Sequence, residues 1–293
     1  MIKIKNLSKR FGKTVALDRL SLEIGDGITG LVGENGAGKS TLLRCIAGIL
    51  NPEEGEILID GKPRNALEAK REIYFLSDYP YSPKAGTIDS IYEFYSCFYD
   101  FELDRFHEIL SHFSLPPKGK IVNFSKGMRR QLFIALALSS RTRYLLMDEA
   151  FDGLDPIALD EIKGEILKEK ENGRSIFVSS HNISTLERLA DRFVMLSKGR
   201  LAENEETQSL GKNFVKYQAY FETNPTEEQL RSLCGLVSYR KVGSILNFVM
   251  EENAEDLAKI KAAFPPKFME QVEIDADELV TLAMIRARKD LNR

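Results

Sequence analysis

The chain has 293 residues, 43% of them hydrophobic, which supplies a substantial core and predicts one large domain or two unequal ones. A formal net charge of −3, a pI near 5.8 and no basic run leave no electrostatic footprint for nucleic acid, so no nucleic-acid partner is expected. No apolar run approaches the roughly 18 residues of a membrane span. The scattered cysteines Cys45, Cys97 and Cys234 read as reduced, mostly buried thiols of a cytosolic protein.

In chain order, Met1-Ile-Lys-Ile-Lys-Asn-Leu7 alternates like a strand and lacks a signal-peptide core. Ile2–Asn6 and Leu20–Ile24 are predicted strands, joined through Phe11-Gly-Lys13 and Val15-Ala-Leu17. Ile28–Val32 is a short apolar strand running into Gly33-Glu34-Asn35-Gly36-Ala37-Gly38-Lys39-Ser40-Thr41. This stretch fits Gly-x-x-x-x-Gly-Lys-Ser/Thr, with Gly33, Gly38, Lys39 and Ser40 in register. A helix is predicted over Lys39–Leu50, because Leu42, Leu43, Ile46, Ala47 and Leu50 share one face. Strand, glycine-rich loop and helix N-terminus together converge backbone N–H groups and a helix dipole on one point, which predicts a nucleoside-triphosphate site. Lys39 is expected to reach the β- and γ-phosphates and the Ser40 hydroxyl to ligate Mg²⁺.

Pro52–Gly55 reads as a turn, Glu56–Ile59 as a strand before the Asp60-Gly61 turn, so an antiparallel sheet is expected to bracket the loop. Ile73–Leu76 is a buried strand ending at Ser77-Asp78. From Pro80 to Leu138 the pattern is mainly helical, broken at Pro116-Pro117. Tyr144–Met147 is another buried strand, ending in Asp148-Glu149. After a complete phosphate loop, Asp148 can stand beside the Mg²⁺ held by Ser40, and Glu149 can polarise the attacking water as general base. Asp155-Pro156 opens a helix, with Asp155 as N-cap. Ser175–Ser179 and Phe193–Leu196 are strands separated by a helix after His181. The alternation predicts an α/β fold with a mostly parallel sheet.

A polar run at Leu201–Gly211 marks a boundary, giving a first domain over 1–208 (helical subdomain about 80–140) and a second over 212–293. The second reads strand (Phe214–Phe221), helix (Thr226–Leu233), strand (Val237–Lys241), strand (Ile245–Met250), helix (Ala254–Phe264), strand (Phe268–Ile274) and final helix (Ala276–Leu291). Up to its last strand that is the ferredoxin-like order, so a small α+β accessory domain is expected.

Over about Met1 to Arg200 the sequence resembles the ABC ATPase family. The loop Gly33–Thr41 is similar to that family's version. Phe124-Ser125-Lys126-Gly127-Met128 resembles its signature motif, Asp152-Gly-Leu-Asp155 its D-loop, and His181 its switch histidine, while Phe11 occupies the place of the aromatic that stacks on adenine. The resemblance implies an ATPase of phosphate-loop fold with a helical subdomain, using ATP and Mg²⁺. It also implies a head-to-tail pair, of two copies or with a sister ATPase. Each ATP would then lie between one subunit's phosphate loop and the other's Ser125 and Gly127, with the D-loop residue Asp155 adjoining. The N-terminus of the helix after Ser125 is itself an anion site, and His181 can orient the water toward a γ-phosphate. His107 and His112, without a motif, read as helix-surface residues.

Three departures stand out. Lys126 and Met128 replace the usual Gly and Gln of the signature, Asp78 stands where a Q-loop glutamine near the metal is usual, and Arg129-Arg130-Gln131 replaces a glutamine-rich run. None removes Lys39, Asp148, Glu149 or His181, so hydrolysis is expected. Eleven of the twenty-seven Phe and Tyr residues fall between Tyr74 and Phe106, Tyr95 and Phe98 among them. They read either as the core of a helical subdomain or as an exposed groove for a partner helix. The resemblance favours a separate integral-membrane permease as that partner, contacted by Pro80–Phe101. The chain is thus expected to be the ATP-hydrolysing subunit of an ABC transporter at the cytoplasmic face of the membrane. The competing readings are a non-transport ABC ATPase and a nucleotide-gated binding module.

Overall fold

The computed structural model describes residues 1–83, 86–116, 118–182, 184–186, 189–202, 214–274 and 278. The chain divides into two compact units, Met1–Asn204 and Glu205–Arg293.

The first unit opens with a hairpin of β1 (Ile2–Phe11) and β2 (Thr14–Ile24), each longer than its apolar pattern suggests. The next strand, β3 (Gly27–Val32), belongs to a different sheet and leads into α1 (Lys39–Ile46). That helix ends four residues short of the predicted Leu50, because Gly48 adopts φ 77° and Ile49 and Leu50 fold back to donate to the Arg44 carbonyl. A second hairpin, β4 (Glu54–Ile59) and β5 (Lys62–Pro63), turns at Asp60 and Gly61, both at positive φ. These strands form an antiparallel sheet of order β2-β1-β4-β5. Its inward residues Ile2, Ile4, Leu22, Ile24, Ile57 and Ile59 share a core with Leu42, Leu43 and Ile46 of α1. The phosphate loop is therefore anchored by packing on both sides, and truncating Leu42 or Leu43 to Ala would cost about 2–5 kcal/mol.

After α2 (Leu67–Arg71) and β6 (Ile73–Leu76) come three longer helices, α3 (Ile88–Ser96), α4 (Leu103–His112) and α5 (Lys126–Ser139). Helix begins at Ile88 rather than Pro80, where Thr87 and Ser90 form a capping box. The remainder is β7 (Tyr144–Met147), α6 (Pro156–Glu171), β8 (Ser175–Ser180), β9 (Arg192–Ser197) and β10 (Arg200–Ala202). The helix predicted after His181 falls partly on residues 183, 187 and 188, which lie outside the described residues; residues 184–186 form turns. The large sheet runs β10-β9-β3-β8-β7-β6 and is parallel except for the β9–β10 pair. Covered on both faces, its strands are continuous apolar runs, which is why Tyr144–Met147 and Ile73–Leu76 were legible without alternation. Parallel pairing also gathers the C-terminal ends of β3, β7 and β8 along one edge, where the chain changes from apolar to polar.

The second unit consists of β11 (Phe214–Phe221), α7 (Glu227–Leu233), β12 (Leu236–Val242), β13 (Ile245–Glu251), α8 (Ala254–Ala263) and β14 (Pro266–Val272). Its sheet is β12-β13-β11-β14, with all three ladders antiparallel, the arrangement of a split βαβ fold. Val215, Ala219, Phe221, Leu246, Phe248 and Met250 pack against Leu230 and Ile260 of the two helices. The final helix expected over Ala276–Leu291 lies outside the described residues apart from Glu278, which pairs with Lys216.

Candidate functional site

At the end of β3 the backbone enters the phosphate loop through positions that admit no side chain. A Cβ on Gly33 would sit 2.3 Å from the Leu196 carbonyl oxygen, and one on Gly38, at φ 109°, 2.5 Å from that of Ala16. Gly38 caps α1 without a side chain, so the first-turn N–H groups face the loop as an anion site.

The loop's cation is turned inward. Lys39 is 5% exposed, and its Nζ donates to the carbonyls of Gly33 (2.6 Å) and Glu34 (3.3 Å) while pairing with Glu149 Oε1 at 3.3 Å. The Ser40 hydroxyl donates to Asp148 Oδ1 (3.0 Å), which also accepts from Ser179 Oγ (2.8 Å). Asp148 is fully buried, yet its Oδ2 has no hydrogen-bond partner among the described residues. A buried carboxylate oxygen left unpaired beside a hydroxyl fits a hard cation, since Mg²⁺ takes oxygen donors and commonly one or two protein ligands. Ser40 and Asp148 are therefore the pair suited to hold it.

Glu149 is the strained member of the set, with φ 47°. Its N–H donates to Ser179 Oγ (2.9 Å), and its Oε2 meets the ring Nδ1 (2.9 Å) and backbone N–H (3.2 Å) of His181. Its carbonyl accepts from Arg130 Nη2 and from the Asp152 N–H. Lys39, Ser40, Asp148, Glu149 and His181, predicted from three separate motifs, are thus one hydrogen-bonded cluster.

The remaining predicted residues stand apart from it. Phe11 ends β1, half exposed, with Lys9 Nζ 5.5 Å from its ring centroid. Ser125 is the N-cap of α5, accepting from the Met128 N–H at 3.1 Å, and a Cβ on Gly127 would meet the Gly153 carbonyl oxygen at 3.2 Å. Asp155 Oδ1 caps α6, taking the N–H groups of Ile157 and Ala158, both at 3.0 Å. Lys126 joins Asp152 at 2.6 Å, which holds that carboxyl below its ordinary range. Asp78, a predicted metal ligand, instead gives its carboxylate to Arg130 Nη2 (3.3 Å). Burial raises the Asp78 carboxyl above its usual value and the Arg130 cation acts against that rise. Of the three metal candidates, the contacts join only Ser40 and Asp148.

Two participants escaped the sequence reading. Ser179 is the first polar side chain after the apolar run Ile176-Phe-Val178, at the edge where β7 also ends, and that position is its signal. Arg130 lay inside the Arg129-Arg130-Gln131 departure, but only the fold reveals that it is buried. Cys45 and Cys234 are buried and Cys97 is exposed, so the thiols are mostly buried as expected. His112 lies on the surface of α4, as expected, and its Nδ1 meets Glu165 at 3.0 Å, beside Arg105, which pairs with Glu165 and Glu169.

A family model described as ABC transporter matches residues 17–152. The bacitracin transport ATP-binding protein BcrA of Enterococcus faecalis is 31% identical over 237 residues, spanning 75% of this chain and 74% of that one. This chain belongs to the ABC transporter ATP-binding family. The lantibiotic transport ATP-binding protein SrtF of Streptococcus pyogenes is 29% identical over 209 residues, covering 70% of this chain and 91% of that protein. The solved dimeric structure of the ATP-binding cassette MJ0796, in a post-hydrolysis state with ADP and Pi, superposes with a TM-score of 0.61 at 25% identity, covering 70% and 98% of the two chains. As an ABC transporter ATP-binding subunit, the chain binds ATP and hydrolyses it, and the nucleotide-binding fold expected from the Gly33–Thr41 loop is the one observed.

Proposed function

We propose that the strand-end cluster is the hydrolytic half-site of a transporter motor that drives a separate membrane permease. The observation that carries this reading is the orphaned Asp148 Oδ2, buried beside Ser40 and next to the Lys39–Glu149–His181 contacts. Ser40 and Asp148 would hold Mg²⁺, which supplies charge neutralisation across the β- and γ-phosphates when bound. Lys39 exchanges the Gly33 and Glu34 carbonyls for phosphate oxygens, while the N–H groups of Gly36 to Thr41 cradle the rest. Freed from Lys39, the Glu149 carboxylate is the base that takes a proton from the attacking water, and His181 positions that water. Phe11 stacks on the adenine. Glu34 and Asn35 line the loop mouth.

Ser125 and Gly127 serve the ATP held by a second subunit, identical or a sister ATPase, with the Asp155-capped turn lying alongside. Residues 1–208 form the ATPase domain and 212–293 an accessory α+β domain. The test is ATP-driven association. Glu149→Gln should shift from monomer to dimer on addition of Mg²⁺ and ATP, alone or with its sister subunit, in sedimentation velocity. A protein that stays monomeric with both would contradict the shared site.

The aromatic stretch supports a permease contact. One set, Tyr74, Tyr92, Tyr99, Phe101 and Phe106, packs inward with ring centroids 4.5–6.1 Å apart. A second set faces out: Tyr79 is 85% exposed, Phe98 68%, Tyr81 62%, with Tyr81–Phe94 and Phe94–Phe98 in ring contact. The stretch thus holds both inward-packed and exposed rings. Clustered exposed rings at this density mark a docking surface. None of the helices among the described residues is long and apolar enough to cross a membrane. In this reading the permease supplies the span and holds the subunit at the cytoplasmic face. Tyr95 is half-buried, with its hydroxyl on the Tyr81 carbonyl (3.1 Å), so Phe98→Asp is the cleaner probe of that contact. It should abolish co-purification with the permease while ATP binding persists.

A further inference from the structure

Glu149 reaches Lys39 and His181 from a backbone that a glutamate rarely adopts, so something must hold that backbone in place. Its N–H is fixed by Ser179. Its carbonyl, and that of Asp148 at 3.1 Å, are fixed by one guanidinium nitrogen, Nη2 of Arg130. The other nitrogen, Nη1, donates to the carbonyls of Ser77 (3.0 Å) and Asp78 (3.2 Å), and Nη2 also meets the Asp78 carboxylate at 3.3 Å. A single side chain on α5 thereby ties the end of β7 to the loop after β6.

Burial alone does not account for this placement. Arg130 is 6% exposed, and desolvation weakens the hold of its proton, with the Asp78 carboxylate as the leading opposing charge. A buried cation is costly unless paired, and an apolar residue would fill the same space more cheaply. Only the planar fork of arginine can address two pairs of carbonyls just beyond the ends of two strands together with a carboxylate; a lysine ammonium is a point donor.

We infer that Arg130 is a positioning residue for hydrolysis: it holds the Asp148–Glu149 peptide so that the Glu149 carboxylate faces the phosphate loop, and Asp78 anchors Arg130 there rather than binding metal. The inference rests on Glu149 being the base proposed above.

The experiment compares steady-state ATPase kinetics of the full-length wild type, Arg130→Lys, Asp78→Asn and the double variant, with melting temperatures in parallel. Arg130→Lys should lower kcat about tenfold or more while the KM for ATP stays within about threefold and the melting temperature within a few degrees. Asp78→Asn should lower kcat less, with the Mg²⁺ concentration for half-maximal rate unchanged, and the double variant should match Arg130→Lys alone because both act through one link. An unchanged kcat in Arg130→Lys overturns the inference, as does a kcat that falls only together with KM and melting temperature. If Arg130→Lys does not fold, Asp78→Asn decides alone: a shifted Mg²⁺ requirement makes Asp78 a metal ligand and removes the anchor. Should Glu149→Gln retain the wild-type rate, the base assignment fails instead, which keeps the two failures distinct.

Discussion

The two units of this chain bury different kinds of side chain. In the second, the interior is Val215, Phe221, Leu230, Leu246, Phe248, Met250 and Ile260, a core whose only task is to be apolar. In the first, Lys39, Arg130, Asp148, Glu165, Glu169 and Arg174 are buried as well, and every buried polar or charged side chain among the described residues belongs to this unit. Buried charge is costly to desolvate and is often replaceable by apolar packing without loss of stability. Where it gathers at the ends of β3 and β7, as Lys39, Asp148 and Arg130 do, it shows where the fold sacrifices stability for chemistry. The Arg105–Glu165–Glu169–Arg174 group shows the limit of that rule. There each charge is paired, and Arg174 also closes the end of α5 through the Leu138 carbonyl at 2.8 Å, so the group is structural. Asp148 Oδ2, unpaired among the described residues and set beside the Ser40 hydroxyl and the phosphate loop, marks the other case.

The sharpest way to break this contrast is to strike one residue in each unit. Lys39→Ala should reduce phosphate release roughly 10³-fold, about 4 kcal/mol of transition-state stabilisation, in a steady-state assay. Melting should change little, because Lys39 contributes charge rather than packing. Phe248→Ala should do the reverse: a loss of roughly 3 kcal/mol in the unfolding of the second unit by urea, with ATP affinity of the chain unaltered. An ATP affinity that collapses in Phe248→Ala would mean that the apolar unit takes part in nucleotide binding after all.

A smaller effect sharpens the comparison within the first unit, between buried and exposed charge. Lys126 and Asp152 pair at 2.6 Å but are 67% and 43% exposed, so Lys126→Gly should change stability only slightly. The Lys126 hydrogen bond holds the Asp152 carboxyl below its ordinary value. The pair's contribution is therefore complete above the ordinary carboxylate pKa and lost as pH falls through the lowered one. Wild type and Lys126→Gly should differ slightly at neutral pH and converge in acid, in urea melts across that range. A difference that widens in acid would assign the stabilisation to another group.

How far the sequence foretold this depends on whether a feature is local. Tyr144–Met147, Ile73–Leu76 and Phe214–Phe221 are bounded by abrupt changes of residue type, and their strands begin and end where those changes occur. The Asp155 cap and the glycine loop are equally local, so both were legible. The α1 terminus was missed because Gly48 interrupts an apolar face that continues to Leu50. Ser179 and Arg130 were missed for a deeper reason. Their partners lie 30 and 19 residues away, so only pairing of β7 with β8 and docking of α5 create the contact. Asp78 shows the converse, since a resemblance assigned it to metal while the fold gives its carboxylate to Arg130.

The central claim is that Glu149, held by Arg130 and Ser179 and poised beside Lys39 and His181, is the base for ATP hydrolysis. Steady-state ATPase rates of the full-length wild type and Glu149→Gln, measured at saturating Mg²⁺ and ATP, test it most directly. The account predicts a fall of at least about 10²-fold with ATP still bound. Equal rates would contradict it.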